Sequence, residues 1–279
     1  MDIASDAKND PRTIDELVNA ILSQTDEDIA SDALRALQWK GSCEVLRRAE
    51  SFCASQCSRE RVLGANILGQ LGLPERTFPI ECCKLLREIL DDETDAYVLQ
   101  AALVGLSHQK DVEAIPRVTN FLKHASLDVR HATAFALMGH EVPLAIEGLI
   151  ILSEDSEALV RDWATFALGT QIDLDTPLIR NALASRLADP DDDTRGEALI
   201  GLARRKEARV IAALKTELSS DCIGSLAIEA AEIIASPELH SHLVELRTWW
   251  DVDQELLEQA IAASARPGQK RMGWDLNPR

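Results

Sequence analysis

Three stretches decide how this chain reads: Asp128-Val129-Arg130-His131-Ala132-Thr133-Ala134-Phe135-Ala136-Leu137, Leu159-Val160-Arg161-Asp162-Trp163-Ala164-Thr165-Phe166-Ala167-Leu168 and Asp193-Thr194-Arg195-Gly196-Glu197-Ala198-Leu199-Ile200-Gly201-Leu202. Each carries a β-branched residue followed by arginine, a small residue four positions after that anchor, and an aliphatic near position eight. Working outward, the anchors become Ile29, Val62, Val98, Val129, Val160, Thr194, Ile223 and Val252, spaced 29 to 36 residues apart. The fourth position after each reads Ala33, Asn66, Ala102, Thr133, Ala164, Ala198, Ala227 and Leu256. All but the last are compact, as close helix packing requires. A second marker recurs between the anchors, at Leu90, Leu122, Leu152, Leu187, Leu218 and Leu246. Two markers sharing one period predict stacked two-helix modules.

Helix-end chemistry agrees. Thr13-Ile14-Asp15-Glu16 is a capping box, and Thr176-Pro177 and Ser236-Pro237 each set a capping hydroxyl before a first-turn proline. Asp189-Pro190 ends a helix instead, because the residue before proline is pushed out of the α region. The reading is all-α: a right-handed α-solenoid of about eight antiparallel pairs, at 13–24/27–38, 43–55/58–72, 77–90/95–107, 111–124/127–139, 142–152/156–170, 176–188/193–204, 207–219/221–235 and 237–248/252–264. One domain is expected over 13–265, between an unanchored segment 1–12 and a flexible basic tail 266–279.

Composition narrows the function. The 279 residues hold 29 Lys and Arg against 47 Asp and Glu, a net charge of −18, with 46% apolar and 4% aromatic residues. That is enough apolar mass for a core built on aliphatics. Strong acidity argues against nucleic acid, whose phosphates call for cations, and fits a basic protein partner. Met1-Asp2-Ile3-Ala4-Ser5-Asp6 lacks the basic start and apolar run of a secretory leader. No run approaches the 18 apolar residues of a membrane span; the greasiest, 143–152, contains Glu147. Six unevenly placed cysteines read as reduced thiols, so a cytoplasmic protein is expected.

The Asp-Val-Arg-His-Ala of 128–132, its relatives at 159–164 and 193–198, and the turns Leu187-Ala188-Asp189-Pro190-Asp191 and Leu152-Ser153-Glu154-Asp155 resemble the HEAT-repeat proteins, specifically the bacterial type named after phycobilisome bilin lyases. The resemblance covers roughly 95–235 and implies fold more than activity, since relatives include bilin lyases, a di-iron hydroxylase and scaffolds. Deoxyhypusine hydroxylase binds iron through several His-Glu pairs; this chain has one, His140-Glu141, and no cofactor or metal is expected. HEAT-like DNA glycosylases use a basic face, at odds with −18.

Several residues stand out as candidate sites. First-to-second-helix turns carry Asp26-Glu27-Asp28, Asp91-Asp92-Glu93 with Asp95, Glu154-Asp155 with Glu157, and Asp189 with Asp191-Asp192-Asp193. Stacked, they make either an acidic edge for a basic protein or ordinary helix-start acids. Asp189 to Asp193 lacks the glycine and distal Glu of an EF-hand calcium loop. Arg130, Arg161 and Arg195, at equivalent positions, are expected to form a structural ladder with inter-helix acids. One position further, Gln100, His131, Asp162 and Gly196 lie off the packing stripe and are the expected groove contacts. Cys53, Cys57, Cys82 and Cys83 could form a zinc site but lack knuckle spacing and read as small core residues. Trp163 and Trp39 read as core or capping residues, and Trp249-Trp250 as the cover of the last repeat. Gly-x-Ser-x-Gly, phosphate-binding glycine loops and His-Glu-x-x-His are missing. The leading expectation is a non-catalytic scaffold or adaptor, with a bacterial immunity-type antagonist of a basic toxin as one variant; the alternative is a bilin-lyase-like enzyme or chaperone.

Overall fold

A computed structural model describes Ala7, residues 9–23 and residues 26–265. Both expected terminal segments lie largely outside these: residues 1–6, residue 8 and the whole of 266–279. Among the described residues there are sixteen α-helices and no strand, and the fold is an all-α solenoid. In chain order the helices are α1 (Ile14–Ser23), α2 (Glu27–Lys40), α3 (Cys43–Cys53), α4 (Ser58–Gln70), α5 (Pro79–Asp92), α6 (Ala96–Gln109), α7 (Ile115–Val118), α8 (Leu127–Leu137), α9 (Pro143–Leu152), α10 (Ala158–Phe166), α11 (Pro177–Arg186), α12 (Asp192–Arg204), α13 (Arg209–Glu217), α14 (Ser225–Ile234), α15 (His240–Leu246) and α16 (Gln254–Ser264).

The chain divides into two compact units, residues 1–148 and 149–279. In the first, helices pair as α1/α2, α3/α4 and α5/α6, and the second members α4, α6 and α8 pack side by side. In the second unit, α10, α12, α14 and α16 do the same, with α11, α13 and α15 packed behind them. The small residues explain this layer. Ala33, Ala102, Thr133, Ala164 and Ala198 are fully buried and Ala227 nearly so, each letting a neighbouring helix come close. Glycine goes further. A Cβ on Gly69 would sit 2.7 Å from Gly105 Cα, and one on Gly201 would sit 2.6 Å from Gly169 Cα, so these helices cross backbone to backbone.

Capping follows the sequence. Thr13 and Glu16 exchange bonds as a capping box, with Thr13 N–H donating to Glu16 Oε2 at 2.8 Å. Thr176 Oγ1 accepts from Ile179 N–H. Three segments depart from the regular helices expected. Residues 112–121 form a 3-10 turn, the four-residue α7 and another 3-10 turn, because Pro116 lacks an amide and Asp111 caps the first turn tightly. After α10 the chain widens into a π-turn, Ala167–Gln171. Residues 237–239 are 3-10 before α15. At the chain's end Trp250 is buried, its indole N–H donating to Ile223 O at 2.9 Å, whereas Trp249 is exposed. The first and last anchors also depart: Ile29 and Val252 are exposed. Near the N-terminus, Arg12 pairs with Asp10, whose carbonyl accepts from Lys40 Nζ at 3.0 Å.

The backbone crossing sets a stability test. Gly201→Ala should cost about 1–3 kcal/mol in urea unfolding, because Gly169 Cα and Leu183 Cδ1 must both give way. Gly224→Ala, whose added Cβ meets nothing within 4 Å, should cost less than about 1 kcal/mol.

Candidate functional site

The arginines come first because they fix the edges of the second helices. Arg161 is buried; its Nε and Nη2 donate to Asp189 Oδ2 and Oδ1 at 2.9 and 2.8 Å, and its Nη1 to the carbonyls of Asp155 and Ser156 at 3.0 Å. One guanidinium thus ties its own inter-helix turn to the next repeat's turn, the bidentate contact for which arginine is suited. Arg195 repeats the pattern, reaching Asp189 O at 2.8 Å, Asp192 at 2.7 Å and Glu217 at 3.2 Å. Arg130 donates to His124 O and Ala125 O. A fourth member was not singled out from the sequence: Arg61 donates to Ser55 O and Gln56 O and pairs with Glu93 at 2.7 Å. Its place shows that the α4 anchor is Glu60, two residues before Val62. Gly64, not Asn66, is then the packing position, where a Cβ would lie 2.8 Å from Ala49 O.

Much of the acidic edge is engaged locally. Asp26, Asp95 and Asp191 cap α2, α6 and α12. Asp91 pairs with Arg117 at 2.7 Å, and Asp155 accepts from Glu157 N–H. Asp189 is buried, and burial alone would raise its carboxyl. Arg161 and the Asp191 amide outweigh that and hold it below the ordinary carboxylate range. Asp92, Glu154, Asp192 and Asp193 remain exposed to solvent.

The expected groove contacts fall in different units. Gln100 on α6 and His131 on α8 are half-buried in the first. His131 lies edge-on to Phe135, ring centres 5.3 Å apart, and burial pushes its imidazole below the usual range toward the neutral form. Asp162, half-buried on α10, lies in the second unit. Gly196 is buried, and Leu226 covers it, 2.6 Å from where a Cβ would stand. Its neighbour Glu197 is the residue that opens onto the groove between α12 and α14. This groove, of about 480 Å³, has an apolar floor of Phe166, Ile200, Leu226 and Ile233, with Glu197, Glu229, Thr170 and Arg204 around it. Burial, reinforced by Asp162, raises the Glu197 carboxyl to about 7, despite a long 3.5 Å bond from Thr170 Oγ1. Asp162 is raised to about 6 by burial, then by Asp193 and Asp191. Within the groove lining, Glu197 is therefore the carboxylate that resists ionisation, with Asp162 acting on it from outside that lining.

Among the described residues no group of three or more His, Cys, Asp or Glu is placed to hold a metal ion. Burial raises the thiols of Cys53 and Cys82 to about 12 and of Cys83 to about 11, so they stay protonated. Among those residues, no helix is long and apolar enough to cross a membrane.

Two measurements probe these electrostatics. Arg161→Ala leaves Asp189 buried without its main partner and should cost about 3 kcal/mol at pH 7. Because the folded Asp189 carboxyl is depressed, that stabilisation is present above its ordinary pKa and is lost as pH falls through the folded value, so the gap between variant and parent in urea unfolding narrows in acid. Glu197 has the opposite sign. Its raised pKa favours folding at low pH, and the advantage disappears as pH rises through about 7. Glu197→Gln should raise the melting temperature by about 2–5 °C at pH 8 and change it little at pH 4.5.

Residues 83–169 match the family HEAT repeats. The chain is 31% identical over 236 residues to Protein YibA of Escherichia coli (strain K12), covering 81% of this chain and 82% of that protein. The X-ray structure of E. coli YibA, 27% identical in structural alignment, superposes with a TM-score of 0.73 over 94% of both chains. An engineered protein of known crystal structure, 20% identical, shares the fold with a TM-score of 0.50 over 94% of this chain and 83% of its own. With its paired helices, buried arginine ties and YibA-like sequence, the chain belongs to the HEAT-repeat family.

Proposed function

We propose that this protein is a non-catalytic interaction scaffold that takes a basic segment of another protein into the groove between α12 and α14. The observation that carries the reading is the coupling of an apolar floor to Glu197, whose carboxyl burial and the nearby Asp162 raise to about 7. A lysine or arginine entering such a groove supplies the charge that lets Glu197 ionise, while its aliphatic stem covers Phe166 and Ile200. The exposed acids of the inter-helix turns, Asp192 and Asp193 among them, extend the negative field that draws a basic partner in. Gln100 and His131 are proposed as a separate contact surface of the first unit. A bacterial immunity-type antagonist, neutralising a basic toxin, is one protein that would use such a groove.

The test is affinity capture from native lysate on the wild-type chain and on Glu197→Gln/Glu229→Gln, at low and high salt. Basic proteins should be retained by the wild type, released as salt rises, and lost from the variant. Retention should also weaken as pH drops below about 7, where Glu197 takes up its proton. Retained proteins that are not basic, or retention unchanged in the variant, would overturn the reading.

A further inference from the structure

The same groove has a candidate occupant within the chain. Residues 266–279, Arg-Pro-Gly-Gln-Lys-Arg-Met-Gly-Trp-Asp-Leu-Asn-Pro-Arg, lie outside the described residues but are fixed in sequence. They carry Arg266, Lys270, Arg271 and Arg279 against one acid, Asp275. This is a basic segment on a chain of net charge −18. They also carry Met272, Trp274 and Leu276 at alternate positions, which in any extended chain share one side.

The attachment point is placed to deliver them. The segment continues from α16, which packs against α14, the helix that supplies Leu226, Glu229 and Ile233 to the groove. Ser264, the last residue of α16, meets His240 Nδ1 at 3.1 Å, only a few residues beyond the end of α14. The segment therefore leaves beside the α14 C-terminus, near Ile233. From Ala265 to Trp274 an extended chain spans about 30 Å, longer than the ~20 Å of α12 along which the groove runs. Tethering also matters energetically, because a short link raises the local concentration of a segment to the millimolar range, so a contact too weak to hold a free peptide can hold a tethered one.

We propose that residues 266–279 occupy the α12–α14 groove of their own chain, with Trp274 on the apolar floor and Lys270 and Arg271 beside Glu197 and Glu229, as a built-in competitor of the basic partner. The proposal rests on the groove reading given above. An incoming partner must displace the tail, so weakly basic proteins are excluded and only a segment that outcompetes it binds.

The full chain labelled with 5-fluorotryptophan provides the test. Trp274→Phe identifies the Trp274 fluorine resonance among those of Trp39, Trp163, Trp249 and Trp250, which also report that each variant is folded. The Trp274 resonance should stand away from its position in the free 266–279 peptide and move to it in Glu197→Gln/Glu229→Gln. Lys270→Glu/Arg271→Glu, which alters no described residue, should have the same effect and should tighten binding of a nona-arginine probe by about tenfold. If Trp274 sits at the free-peptide position in the wild type while nona-arginine still binds and the groove variant abolishes that binding, the tail assignment is wrong and the groove stands. If Trp274 is free and nona-arginine fails to bind even the tail-reversed variant, both fall. A displaced resonance that returns to the free position on dilution would place the tail in a second copy and overturn the intramolecular assignment.

Discussion

Everything in the fold depends on how closely the second helices approach one another. At Gly69 with Gly105, and at Gly169 with Gly201, no side chain separates the backbones. Such an approach gains dispersion contact along both helices but leaves polar backbone at the helix ends with little room for water. Side chains from the next repeat meet that demand. Gln109 donates to Leu68 O and Gly69 O, and Arg205 donates to Leu168 O, Gly169 O, Ile172 O and Gly201 O, all within 3.3 Å. Burial lowers the Arg205 pKa, yet arginine keeps its proton at any pH the fold survives, so its fork suits a bundle of carbonyls. Tight crossing and polar repair are therefore one device.

Much of this was legible in the sequence, where its signal was a repeated size constraint. Ala102, Thr133, Ala164 and Ala198 sit where a larger side chain would force helices apart, and spacing alone revealed them. The sequence misled where a residue satisfied the pattern by composition but not by geometry. Val62 resembles an anchor, yet Arg61 reaches the same carbonyls in its turn as Arg130 does in its own, which shifts the register by two. Residues 112–121 have helical hydrophobicity, but Pro116 and the Asp111 cap break them into short turns.

The site was less legible because its key residue is defined by what its neighbour lacks. Gly196 occupies the position of His131 and Asp162, and having no side chain it is covered by Leu226, leaving Glu197 to face the opening. The available signal was a carboxylate at the position held by Ala132 and Trp163 in the other two copies. The turn acids illustrate the converse. In sequence Asp91, Asp95, Asp189 and Asp191 fit either an interaction surface or ordinary helix-start acids, and in the structure each has a local hydrogen-bonding role. Asp92, Glu154, Asp192 and Asp193 stay exposed to solvent.

The fork and crossing also follow a period longer than the helix pair. Arg61 and Gly69 stand one hundred residues before Arg161 and Gly169, while Glu93, Gly105 and Gln109 stand ninety-six before Asp189, Gly201 and Arg205, with the same roles in the same order. The tie and the crossing therefore recur every three helix pairs, with a four-residue difference between the first group and the second, so the tightest backbone approach described in one unit has a counterpart in the other.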